Sequence, residues 1–143
     1  MSAIVLGDHL ILHGAICLLI GLLCGVPLGS AINKDAHTES IHGWRVAHLG
    51  LSIGGFLLFS IAAVLPRISG GPILDGLAAW GFVLSTYGFI IALPIGASNR
   101  NRGLQASEGL GQLVYAGNLV GAGGSLVGAV ALLILAIAGV FGR

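Results

Sequence analysis

Charge is what this sequence has least of. Its 143 residues include six Lys or Arg and five Asp or Glu, 8% of the chain, where a soluble domain carries about a quarter. So little charge cannot clothe a water-exposed surface, and a net charge of +1 gives no basic face for nucleic acid. Cysteine is scarce too. Cys17 and Cys24 lie seven apart in one apolar run, too far along a helix to bridge, and no Cys-x-x-Cys-His sequence exists for covalent haem attachment. The cysteines and histidines lack zinc-finger or zincin spacing, and there is no Gly-x-Ser-x-Gly elbow, P-loop or dinucleotide fingerprint. The residues before Leu10 include Asp8 and no Lys or Arg, so no cleaved signal peptide is expected.

What the chain does have is long apolar runs: Leu10–Ile32, Val46–Leu65, Ile73–Ala97 and Leu113–Phe141. Crossing the hydrocarbon core takes about 20 residues, and backbone groups in lipid must bond internally, so each run predicts a membrane-spanning helix. The expectation is an all-α membrane protein: one transmembrane domain over residues 1–143, built as a four-helix bundle with antiparallel neighbours joined by short loops. Lys34, Arg45, Arg100 and Arg102 fall on one side and Arg67 and Arg143 on the other, which puts the first and third loops in the cytoplasm. Small residues recur at helical spacing: Gly21 and Gly25, Gly50 and Gly54, and a ridge of Gly117, Gly121, Ser125 and Ala129 flanked by Gly124 and Gly128. Such ridges admit close backbone approach, within one bundle or between subunits. So much glycine predicts little room for a ligand inside a single subunit.

Ionisable and polar groups at membrane depth are functional candidates by default. His13, His48, Ser85, Thr86, Tyr87, Tyr115 and Asn118 fall within the runs, and Asp75 lies near an end of the third. His48 stands out in Trp44-Arg45-Val46-Ala47-His48-Leu49-Gly50. A neutral imidazole is a good axial ligand for haem iron, small neighbours leave space for a flat macrocycle, and Arg45 is placed to meet a propionate. The plainer alternative is a buried histidine donating to a carbonyl of another helix. With the first two spans antiparallel, His13 and His48 lie toward opposite membrane faces, so His13 is expected to bond a backbone group or polar partner rather than share an iron.

Several features together resemble the styrene oxide isomerase family. They are His13-Gly14 in the first span, Gly43-Trp44 with Ala47-His48 and Gly50 in the second, Val64-Leu65-Pro66 at its close, and Asn101-Arg102-Gly103-Leu104 after the third. The resemblance implies a bacterial inner-membrane homotrimer of four-helix subunits, each with haem b near a subunit interface and His48 as the iron ligand. It further implies a ferric Lewis acid that opens a hydrophobic epoxide and, after a hydride shift, yields an aldehyde. The family's polar pocket positions are here Gly54, Ser85 and Leu93. That leaves a roomier, more apolar pocket and the identity of the epoxide open. The resulting expectations are Ser85, Tyr87, Tyr115 and Asn118 as catalytic candidates, and His48, Trp44, Arg45, Asn101, Arg102 and Gly54 around the haem. The expected partners are the lipid bilayer, a hydrophobic small molecule and further copies of the chain, not nucleic acid. A haem b protein without epoxide turnover is the alternative. A proteolipid-like ring subunit would need a carboxylate at mid-membrane, which Asp75 and Glu108 are not placed to supply.

Overall fold

The computed structural model describes residues 1–101, 103–105 and 108–142. The first span is α1, Ala3–Leu23, followed without a loop by α2, Gly25–Asn33. The break was not evident from hydropathy. Pro27, in the first turn of α2, has no N–H to give and its ring crowds the carbonyl one turn back, so the helix re-forms around Cys24. The chain keeps its direction there, with Cys24 N–H donating to Ile20 O and Leu28 N–H to Cys24 O. The next helices are α3, Thr38–Ile68, α4, Pro72–Asn99, and α5, Leu110–Phe141. Four helices are thus long and apolar enough to cross a membrane, residues 3–33 counting as one, and the fold is a four-helix membrane bundle.

Helix α3 begins eight residues before the apolar run it carries, so the first loop shrinks to residues 34–37. Nothing in Thr38–Arg45 breaks a helix strongly, and Glu39 in the first turn complements the helix dipole. His48 therefore sits three turns into α3, about 15 Å from its start.

Each helix packs antiparallel on the next, α1 against α3, α3 against α4 and α4 against α5, while α3 and α5 barely touch. Glycine sets the spacing. A Cβ added at Gly88 would lie 2.6 Å from Gly117 O and Gly121 N, and one at Gly81 would lie 2.8 Å from Gly128 N. The seam against α4 takes Gly117, Gly121, Gly124 and Gly128, while Ser125 is half-buried and Ala129 is exposed, so the predicted ridge is spent inside the subunit only in its first half. Gly14, Gly21 and Gly55 join α1 to α3 in the same way. The expectation of little internal room holds along these seams but fails between α3 and α5, whose sparse contact leaves a groove floored by α4.

One buried carboxylate anchors the turn into α4. Asp75, 2% exposed, accepts from Ser69 Oγ at 2.5 Å and from Gly70 N–H at 3.1 Å. It locks a loop and is not a mid-membrane proton site. Asp75→Ala would strand both donors and is expected to cost about 1–3 kcal/mol, read as a lower midpoint in denaturant titration of the detergent-solubilised protein.

Candidate functional site

His48 meets the first span at the junction of α1 and α2, between Gly21 and Gly25. Its Nδ1 lies 2.8 Å from Gly21 O, and a Cβ at Gly25 would lie 3.3 Å from the ring. A carbonyl only accepts, so Nδ1 is the donor, and in the neutral imidazole Nε2 is then the nitrogen with the lone pair. The plain alternative raised by the sequence, donation to another helix's carbonyl, is therefore realised, and it occupies one ring nitrogen only. Trp44, one turn earlier and half-buried, packs against the buried cluster that includes Cys24, Ala47 and Leu51, while Arg45 is exposed. Ser52, one turn later, has its Oγ buried beside Gly21 with no hydrogen-bond partner among the described residues.

His13 is engaged elsewhere. Its Nδ1 is 2.8 Å from the Tyr87 hydroxyl, and its ring sits among those of His9, Trp80 and Tyr87. Eight residues separate it from Gly21, about 12 Å along the helix, so the two histidines lie at different depths as expected. The His13–Tyr87 bond ties α1 to α4. Tyr87→Phe is expected to cost about 1 kcal/mol of stability and to leave any visible absorption of the protein unchanged, measured by denaturant titration and by spectrum.

The groove between α3 and α5 holds two cavities in line. The outer one, about 310 Å³, opens at the end of the bundle where the first and third loops lie. Its lining includes His42, Val46, Leu93, Arg100, Asn101 and Asn118. The inner one, about 240 Å³, lies farther into the membrane and includes Gly54, Leu57, Phe82, Ser85, Thr86 and Phe89. Leu93 stands between them, its Cδ1 3.4 Å from where Gly50 would carry a Cβ.

The proposed site residues therefore divide. Trp44, Arg45 and His48 share one stretch of α3, with His48 turned to α1. Gly54, six residues and about 240° farther round the helix, joins Ser85 in the inner cavity and is not brought to His48. Asn101 and Asn118 meet in the outer cavity, Tyr87 faces α1, and Tyr115 is exposed on α5. Arg102 lies outside the described residues. The Asn101–Gly103 part of its motif has a clear basis. Gly103 takes φ +61° and donates its N–H to Asn101 Oδ1 at 2.8 Å, and a Cβ there would strike Asn118 and Val114. The sequence offered Thr86 only as one of the polar groups at membrane depth and did not place it in the site. Its signal was present as Phe82, Thr86, Phe89 and Leu93, spaced to share one face of α4.

The fold and these sites define a polytopic integral membrane protein with a histidine and an apolar cleft at membrane depth. The styrene oxide isomerase family model matches residues 6–138, nearly the whole chain, and the protein belongs to that family. No curated protein and no solved structure matches it. Membership points to an isomerase acting on epoxides.

Proposed function

We propose that the protein is a haem b-dependent isomerase converting a hydrophobic epoxide to an aldehyde. The observation that carries this reading is the state of His48 in a chain of this family: Nδ1–H held by Gly21 O, Nε2 left with its lone pair. A backbone acceptor on the far nitrogen fixes the tautomer and raises the basicity of the ligating one, as in histidines that hold metals. The missing side chain at Gly25 lets the ring lie close to the start of α2. Bound there, a ferric haem supplies a Lewis acid for the negative charge that grows on the epoxide oxygen as the C–O bond breaks.

The rest belongs to the chain. Arg45 offers a cation on the same helix for a propionate, and Trp44 packs the turn before the ligand. Apolar walls keep water away, which favours rearrangement over hydrolysis to a diol. Because His48 and the inner cavity sit on different sides of α3, a single subunit does not join ligand and cleft. This supports a homo-oligomer, a trimer by family resemblance, in which one copy covers the seam of the next. A bacterial inner membrane is the proposed location.

One observation favours a second reading, a haem b protein without epoxide turnover used in electron transfer, sensing or haem handling. The family's polar pocket positions here carry Gly54, Ser85 and Leu93, of which one alone bears a polar side chain. The two readings separate on incubating the purified, hemin-loaded protein with aryl and alkyl epoxides and following aldehyde by gas chromatography. Aldehyde is the expected outcome. Bound haem with no aldehyde from either class would favour the second reading.

A further inference from the structure

A second group of imidazoles lies away from His48, near the ends where α1 and α4 begin. His9 and His13 stand one turn apart on α1, half-buried, with rings near-parallel at 13° and centroids 6.1 Å apart. The expectation that the histidines lack zincin spacing is corrected here: these two are four apart, with Leu10 where that motif has its glutamate. Trp80 of α4 packs against both rings, with centroids 5.3 and 6.1 Å away.

Both imidazoles keep a free ring nitrogen. His9 makes ring contacts and no hydrogen bond among the described residues. His13 is bonded through Nδ1, to the Tyr87 hydroxyl at 2.8 Å, which leaves Nε2. Water reaches this level. His9 stands one residue before the apolar run Leu10–Ile32, at the lipid–water boundary. Helical side chains lean toward the start of their helix, and α1 starts on that same side, so both rings lean toward water and its ions.

Two imidazoles at this spacing share one helix face and can chelate one ion. Among the described residues no third His, Cys, Asp or Glu joins them. The remaining positions on the ion therefore go to water or an external ligand. Ca²⁺ and Mg²⁺, which want several oxygens, are a poor match, whereas imidazole suits copper, nickel and zinc. A metal–nitrogen bond of about 2.0–2.1 Å brings the two ligating nitrogens within about 4 Å of each other. Half-buried rings reach that by side-chain rotation. With a metal on Nε2, His13 carries its proton on Nδ1 and donates it to the Tyr87 oxygen, the kind of outer partner that orients metal-bound histidines.

We propose that His9 and His13 form an open two-histidine site for a divalent first-row transition ion, Cu(II) held most tightly, with Tyr87 as its outer hydrogen-bond partner on α4. The site is independent of haem and of epoxide turnover, since His48 lies at another depth and bonds Gly21 O.

The test titrates CuCl₂ into the full-length protein in detergent, with and without hemin, and follows Cu(II) by EPR. Every variant keeps His48, so differences among them report the second site. Wild type is expected to take up one Cu(II) whose hyperfine pattern shows two nitrogen ligands. His9→Ala removes no hydrogen bond and is expected to weaken binding about a hundredfold, the low end for losing one arm of a chelate. Tyr87→Phe keeps both ligands and is expected to weaken it about tenfold, as the loss of an outer partner does. His37→Ala, in the first loop, leaves it unchanged. Equal Cu(II) affinity in wild type and His9→Ala overturns the proposal, as does a site that His37→Ala abolishes. Loss in His9→Ala with no change in Tyr87→Phe upholds the two-histidine site and removes Tyr87 from it. The same pattern in protein that never takes up hemin contradicts the haem proposal and leaves this site standing.

Discussion

His48→Ala is expected to lower haem affinity by more than about a hundredfold, beyond the 10- to 100-fold typical of losing an outer-shell partner. One imidazole is proposed to carry the iron, and among the described residues no group of three His, Cys, Asp or Glu side chains stands ready to replace it. His13 is bonded to Tyr87 at another depth. The substitution also removes the tie from Nδ1 to Gly21 O, worth about 1 kcal/mol. The extensive α1–α3 seam, closed by Gly14, Gly21 and Gly55, remains, so the bundle is expected to stay folded. Hemin titration followed at the Soret band, with added imidazole as rescue, measures the effect. Normal haem binding by the folded variant would remove His48 from the role.

The largest stability effect is expected at Gly88. Its missing side chain lets α4 and α5 meet backbone to backbone, and a Cβ would press on Gly117 O and Gly121 N at 2.6 Å. Backbone cannot rotate aside as a side chain can, so Gly88→Val must push two long helices apart along their main seam. A loss of about 3 kcal/mol or more is expected, at or above the upper end for overpacking. Gly123→Val is the control. It lies on α5 with nothing within 4 Å of the added carbon, and is expected to be neutral. Denaturation of the two variants in mixed micelles gives the comparison.

The spans were legible because hydrocarbon imposes one rule on every residue it touches, and runs of apolar residues record it. Helix ends were less legible. Polar segments such as Thr38–Arg45 continue a helix into the headgroup region, where hydropathy says nothing, and Pro27 breaks a helix without interrupting its apolar run. The different depths of His13 and His48 followed from antiparallel order alone. The particular partners, Tyr87 and Gly21 O, depend on the register between helices, which no local pattern records. The groove was hidden for a further reason: it exists because α3 and α5 barely meet, and so sparse a contact leaves no periodicity in either segment. Glycine abundance pointed to tight packing and was right along α4–α5. It could not show that the tightness of two seams would open a third.

The most direct measurement is the visible absorption spectrum of the purified, detergent-solubilised wild-type chain. A Soret band with the signature of high-spin, five-coordinate ferric haem is expected, since one histidine is proposed to bind the iron and His13 is bonded to Tyr87 at another depth. A colourless protein that stays colourless after hemin is offered would contradict it.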